Sequence, residues 1–208
     1  MDPFSFDKEF YDKGLRFIAG IDEAGRGPLA GPVAAAAVIF PKDIKIPDLN
    51  DSKQLSEKKR EELFDVIREK GLAYSIEIID NNIIDQINIL QATFLAMSKA
   101  VSNLKIKPDL CLIDGNHKVP SITFAQSAIV SGDAKSACIA AASILAKVTR
   151  DRLMYDYAKQ YPVYKFEKHK GYCTRKHIEA IKQHGICPIH RLTFAPIREM
   201  LLQMKLDI

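Results

Sequence analysis

Apolar and polar positions along the chain alternate between two periods. Phe17–Ile21 is a short uncharged run that reads as a buried strand, and Val33–Phe40 is apolar on both faces, as a central strand requires. Tyr74–Ile78 alternates with the period of a half-buried strand, and Leu110–Ile113 and Ser121–Ala125 are further strand candidates. Between them the period lengthens. Ser56 is positioned to cap a helix running to about Lys70, whose apolar face is Leu63, Phe64, Val66 and Ile67 and whose stop is Gly71. Ile83, Ile87, Leu90, Phe94, Met97, Val101 and Leu104 are spaced by threes and fours, which predicts one long helix with a single core-facing stripe. Asp133 is placed to open another long helix, alanine-rich from Ala134 to Ala146 and continuing to about Gln160. Helices near Thr174–His184 and Pro196–Lys205 follow. Strands that precede helices predict an α/β class.

The 208 residues with 47% apolar content suffice for one substantial core, and neither a repeat nor a linker divides them, so a single domain spanning 1–208 is expected. Its core would cover about 17–197, with a C-terminal helical extension from about 196. The longest apolar run, Val33–Phe40, is too short to span a bilayer. Met1–Asp7 lacks the basic and apolar regions of a secretory signal. The four cysteines (111, 138, 173 and 187) show no C-x-x-C pairing and read as free thiols of a reducing compartment, so a cytoplasmic location is expected. Nothing points to an obligate oligomer or a protein partner, and a monomer is expected. Net charge is a modest +4, but residues 135–208 carry 14 Lys/Arg against 6 Asp/Glu while the rest is net acidic. A basic C-terminal portion beside an acidic one suits nucleic acid as the partner.

The acidic residues stand where elements end or begin. Asp22 and Glu23 close the Phe17–Ile21 strand, Asp114 closes another, and Asp133 precedes a helix. If those strand ends are neighbours, the carboxylates converge, and converging carboxylates repel one another unless protons or cations neutralise them. All-oxygen donors select hard ions such as Mg²⁺ or Mn²⁺, and a pair roughly 3.5–4 Å apart is the recurrent device for phosphodiester displacement. Consecutive strand side chains point to opposite faces. Glu23 therefore joins Asp22 through its carboxylate only if the strand has turned there, and otherwise through its backbone carbonyl. Gly25-Arg26-Gly27 follows directly, a turn whose glycines let the backbone approach a substrate closely. Arg26 and Lys53 are natural phosphate contacts; Lys147, Arg150 and Arg152 suit the same purpose or an exposed helix face. Lys168, His169 and Lys170 beside Tyr172 form a basic–aromatic cluster suited to strand binding. His177, His184 and His190 lack metal-ligand spacing and read as structural or surface residues. A non-catalytic nucleic-acid-binding module and a small-molecule phosphatase are the competing readings.

The segment Gly20-Ile21-Asp22-Glu23-Ala24-Gly25-Arg26-Gly27-Pro28-Leu29-Ala30-Gly31-Pro32-Val33 resembles the opening motif of the ribonuclease HII family. Asp51-Ser52-Lys53-Gln54-Leu55, Ile113-Asp114-Gly115, Gly132-Asp133-Ala134, Ile139–Val148, Arg150-Asp151-Arg152, His169-Lys170-Gly171-Tyr172 and His190-Arg191 continue it in order. The resemblance implies an RNase H-like fold with a central mixed sheet flanked by helices. It implies an endoribonuclease that cuts the RNA strand of RNA–DNA hybrids. It also implies incision 5′ to ribonucleotides embedded in duplex DNA, the entry to ribonucleotide excision repair. By position, Asp22, Glu23, Asp114 and Asp133 take the family's catalytic and metal-binding roles, with two Mg²⁺ or Mn²⁺ ions. Gly25, Arg26, Gly27 and Tyr172 take its substrate-sensing role. Arg26, where the type 3 relatives carry lysine, points to type 2.

Overall fold

The computed structural model describes residues 3–49, 52 and 55–206. Five strands form one sheet: β1 (Ile18–Ala24), β2 (Val33–Ile39), β3 (Ala73–Ile79), β4 (Leu110–Asp114) and β5 (Ala125–Ile129). Their order is β3-β2-β1-β4-β5, antiparallel among the first three and parallel from β1 through β4 to β5. The sheet is thus the expected mixed one, flanked by helices.

Both faces are covered, which is why β2 is buried throughout. Val33, Ala35, Ala37 and Ile39 pack on the side of α3 (Asn81–Ser102), and Ala36 and Val38 on the side of α2 (Glu57–Lys70) and α4 (Ala137–Gln160). Alanines suit a strand pressed by helices from both sides, because little volume is left between the layers. Gly20 of β1 takes this furthest: a methyl group there would overlap the backbone of Cys138 and Ile139 in the first turn of α4.

Several elements depart from expectation. A ten-residue helix, α1 (Pro3–Asp12), precedes the first strand and was not anticipated. It is tied down from afar: Asp7 Oδ2 accepts from the Cys138 amide (2.9 Å), and Tyr11 donates to the Phe40 carbonyl (3.0 Å). The fifth strand runs over Ala125–Ile129 and not Ser121–Ala125. Gln126 explains the shift, because its side-chain amide bonds the backbone of Val119 and Ile122 and folds the preceding segment into a loop. Asp133 does not cap α4. It sits in a short 3₁₀ turn, Gly132–Ala134, and Ser136 caps the helix by accepting from the Ile139 amide (3.2 Å). Within α3, Asn88 (φ 67°) breaks the helix, and its side chain caps the second segment at Leu90 and Gln91. Met97 and Val101 keep the predicted stripe beyond the break, whereas Ile87, before it, is exposed. The helix from Ser56 to Lys70 is as expected, with Ser56 accepting from Lys59 (3.2 Å).

The C-terminal portion adds α5 (Phe166–His169), α6 (Arg175–His184) and α7 (Ile197–Leu206), packed on a separate cluster that includes Leu29, Ala30, Met154, Phe166 and Ile197. Among the described residues no helix is long and apolar enough to cross a membrane.

Candidate active site

The site lies where β1 outruns its parallel neighbour. Pairing of β1 with β4 ends at Ile21–Ile113, whereas pairing with β2 continues to Ala24–Ala34. Asp22 and Glu23 therefore stand on a stretch of β1 open on the β4 side, beside Asp114 at the end of β4. Alternation is kept: Asp22 shares the α4 face with Gly20, and Glu23 lies on the α3 face. Both nevertheless line one cavity of about 300 Å³, together with Gly25, Arg26, Gly27, Ser52, Asp114, Ser143, Lys147 and Tyr172. Glu23 lines the cavity without any turn in the strand, and its carboxylate lies 3.3 Å from Nη1 of Arg26, another lining residue.

Asp22 is buried, and its Oδ1 accepts from the Glu23 amide (2.7 Å). Burial, then the neighbouring charges of Glu23 and Asp114, push its pKa well above the ordinary carboxylate value, against a hydrogen bond from Ser143. Ser143 and Ser52 are 2.8 Å apart, so a hydroxyl given to Asp22 leaves Ser143 to accept from Ser52. Glu23 is also raised by burial, partly offset by Arg26, whose Nη1 lies 3.3 Å from its Oε1. Asp114 Oδ1 accepts from the Gly132 amide (2.7 Å), which brings the turn holding Asp133 against the end of β4. Asp133 itself is buried and is not among the residues lining the cavity.

Two buried arginines hold the glycine turn from beneath. Arg191 donates to the carbonyls of Gly25 (2.6 Å), Arg26 (2.8 Å) and Gly31 (3.0 Å). Arg150 donates to those of Pro32 (2.9 Å), Ala30 (3.1 Å) and Lys170 (3.0 Å). Burial lowers both pKa values, to about 10 for Arg150 and about 9 for Arg191, so both remain cationic at neutral pH. In a trans peptide the N–H points opposite to the C=O. With the Gly25 and Arg26 carbonyls drawn to Arg191, the amides of Arg26 and Gly27 are turned away from it. Gly25 itself has φ +100°, a conformation that favours glycine.

Of the residues singled out in the sequence, Asp22, Glu23, Asp114, Gly25, Arg26, Gly27 and Tyr172 are brought together. Lys53 lies outside the described residues. Arg150 is not an exposed phosphate contact but a buried clamp, because its acceptors are backbone carbonyls. Arg152 pairs with Glu61 and covers the Phe64 ring. Lys147 does line the cavity while bridging to Asp151 (2.6 Å). Ser143 was missed, although a lone hydroxyl within the buried run Ile139–Ala146 was a usable signal. His177 and His190 are fully buried, as a structural reading allows.

Cysteine and histidine are absent from the cavity lining, so its anionic donors are all carboxylate oxygens. That set, with burial holding Asp22 toward its protonated form, fits a hard divalent cation as the missing positive charge. Among the described residues no three His, Cys, Asp or Glu side chains form a ready-made metal cage.

A sequence profile of the ribonuclease HII family matches residues 19–197. The ribonuclease HII of Endomicrobium trichonymphae is 70% identical over 205 residues, covering 99% of this chain and 98% of that one. The crystal structure of ribonuclease H2 from Pyrococcus horikoshii OT3 superposes with a TM-score of 0.76 at 28% identity, covering 91% of this chain and 99% of that one. A structure of Bst-RNase HIII in complex with Mn²⁺ gives a TM-score of 0.67 at 19% identity, over 91% of this chain and 70% of that one, a likeness in fold alone.

Proposed function

The chain belongs to the ribonuclease HII family and is a hydrolase of the type 2 ribonuclease H kind, acting on the RNA of RNA–DNA hybrids; from that premise we propose that it also incises duplex DNA on the 5′ side of embedded ribonucleotides. The observation that carries the proposal is one cavity holding three carboxylates, the Gly25–Gly27 turn and Tyr172. Family membership removes the non-catalytic reading.

Asp22, Glu23, Asp114 and Asp133 would hold two Mg²⁺ or Mn²⁺ ions, which when bound lower the pKa of the attacking water and stabilise the leaving oxygen. Small divalent ions are commonly held by one or two carboxylates with substrate phosphate oxygens completing the shell. That is consistent with carboxylates gathered but not caged before substrate arrives. Water adds to phosphorus, the P–O3′ bond breaks, and O3′ takes up the proton. The products are a 3′-hydroxyl upstream and a 5′-phosphate on the ribonucleotide. Burial raises the pKa of Asp22, so this residue would give up a proton that burial favours on taking up a cation.

Ribose is recognised by its 2′-hydroxyl, which both donates and accepts. The outward amides of Arg26 and Gly27 are donors fixed by Arg191, and the ring of Tyr172 stands beside Gly27 to pack on the next deoxyribose. An added hydroxyl at that sugar would clash with the ring, which favours an RNA-to-DNA step. Arg26 and Lys53 contact phosphate. We assign the protein to a monomeric cytoplasmic role in ribonucleotide excision repair.

The test is a labelled DNA duplex containing one ribonucleotide, incubated with and without Mg²⁺. Incision 5′ to the ribonucleotide only with Mg²⁺ supports the proposal, and cleavage confined to continuous RNA–DNA hybrid overturns it. Asp114→Asn is expected to keep its melting temperature and hybrid affinity while losing Mg²⁺-dependent cleavage. Full activity in that variant removes Asp114 from the chemistry.

A further inference from the structure

Tyr172 is exposed, yet its main chain is hydrogen-bonded at both its amide and its carbonyl. Its amide donates to the His169 carbonyl (2.8 Å), and its own carbonyl accepts from the Thr174 amide (2.8 Å) and lies 3.0 Å from His177 Nδ1. On the far side of that ring, His177 Nε2 lies 3.1 Å from His190 Nε2. His190 Nδ1 in turn receives the Cys187 amide at 2.8 Å. Both ends of this chain are chemically one-way. An amide N–H can only donate, so His190 Nδ1 accepts and its proton sits on Nε2. A carbonyl can only accept, so His177 carries its proton on Nδ1 and receives at Nε2. One pair of neutral tautomers satisfies the Cys187 amide, the contact between the two rings and the Tyr172 carbonyl, and the polarity runs from Cys187 to Tyr172. The Cys187 carbonyl, 3.2 Å from His190 Nδ1, is the longer alternative; a proton placed there would leave two unprotonated Nε2 atoms facing each other, whereas the Cys187 thiol, 3.1 Å away, can donate to Nδ1 as the amide does.

His169 adds a third ring. It lies face to face with His177, ring centroids 4.4 Å apart, with Nε2 2.7 Å from the Tyr164 carbonyl and Nδ1 receiving the Gly171 amide (3.3 Å). Gly171 then links to the glycine turn, its carbonyl accepting from the Leu29 amide (2.8 Å).

We propose that His177 and His190 are positioning residues: their relay fixes the Tyr172 carbonyl, and so sets where the Tyr172 ring stands over Gly27 when the enzyme distinguishes a lone ribonucleotide from continuous RNA. The inference rests on the proposed sugar-sensing role of Tyr172. Buried imidazole nitrogens need partners wherever they lie; what distinguishes this pair is which groups its two ends engage. Here, one end is fixed in the Cys187 turn and the other at the residue before the exposed loop reaches α6.

The experiment compares kcat/KM on a single-ribonucleotide duplex with that on a continuous RNA–DNA hybrid, as a ratio, with melting temperatures recorded alongside. His177→Phe keeps the ring and loses both nitrogens; we expect the ratio to fall by about tenfold, the scale of one lost hydrogen bond. His177→Asn retains a donor at the Nδ1 position and should recover much of that loss. His190→Asn keeps an acceptor for Cys187 but does not reach His177, and should lower the ratio. Tyr172→Ala should lower it as far, with no further fall in the Tyr172→Ala/His177→Phe double variant. If Tyr172→Ala lowers the ratio and neither histidine variant does, the relay is overturned and the Tyr172 reading stands. If Tyr172→Ala leaves it unchanged, that reading fails and the relay with it. Imidazole ¹⁵N shifts of the unaltered protein give a check independent of variant folding: Nε2–H on His190 and Nδ1–H on His177 are expected, and the opposite tautomers overturn the assignment.

Discussion

Gly25 and Gly27 occupy one turn but answer to different constraints, and substituting each separates architecture from chemistry. A methyl group on Gly25 would overlap the Arg150 guanidinium, stand 2.8 Å from the Pro32 carbonyl, and require φ +100° of an alanine. Arg150 would have to leave the carbonyls it satisfies, exposing buried polar groups. Gly25→Ala is therefore expected to cost about 1–3 kcal/mol, read as a lowered melting temperature. The same group on Gly27 would meet only the Tyr172 ring at 3.6 Å, an ordinary contact. Gly27→Ala should unfold within about 0.5 kcal/mol of the unaltered protein, while cleavage at a ribonucleotide falls because the methyl intrudes between the turn and the tyrosine. Equal losses of stability in the two variants would mean that the arginine clamp does not distinguish these positions.

The element that gathers the site is α4. Its first turn rests on Gly20, its Ser143 reaches Asp22, and its Arg150 reaches under the glycine turn; its amino end is held by Ser136 and, from α1, by Asp7. Asp7 is buried with its Oδ1 unpartnered, and burial raises its pKa. Removing it leaves the Cys138 amide without its acceptor at the positive end of a helix. Asp7→Ala should thus cost about 1–2 kcal/mol in urea or thermal unfolding, and Asp7→Asn, which keeps an acceptor, should cost less. An alanine variant as stable as the parent would show that α1 does not brace α4. The anchor from Asp7 to Cys138 spans most of the chain, which is why a ten-residue helix without a strong local signal went unread. The first four strands and the Ser56-capped helix were legible because apolar period and cap are local properties. The fifth strand was displaced because the Gln126 side chain folds Val119 and Ile122 into a loop, a bond no apolar period encodes, and the start of α4 because the Gly132 amide takes its acceptor from Asp114 at the end of β4. At the site, strand-end carboxylates and the glycine turn were legible from spacing. The burial of Arg150 and Arg191 was not, since their acceptors are backbone carbonyls whose directions no residue type encodes.

At the scale of the molecule, the basic excess beyond residue 134 is not all surface: Arg150 and Arg191 are consumed inside, and His177 and His190 of the same region are buried. Burial pushes His177 and His190 down to about 4 and lowers His169, whereas the unfolded chain titrates near the ordinary histidine value of 6.5. Between those values the unfolded state binds more protons, so stability from these rings is fully present above about pH 6.5 and is lost as pH falls toward 4, with no further loss below. The buried carboxylates act in the other direction. Asp7, Asp22 and Glu23 have raised pKa values, hold protons more readily when folded, and gain stability as pH falls through that raised range. A single acid-unfolding curve mixes the two, and a difference resolves them. The unfolding free energy of the parent minus that of His177→Phe cancels the carboxylate contribution common to both. At about 1.4 kcal/mol per unit of pKa shift, and with the two rings sharing one relay, the difference should shrink by on the order of 2–4 kcal/mol between pH 7 and pH 4.5. Parallel curves over that interval would place the rings in water in the folded protein, contrary to a core in which His177 and His190 are at most 1% exposed.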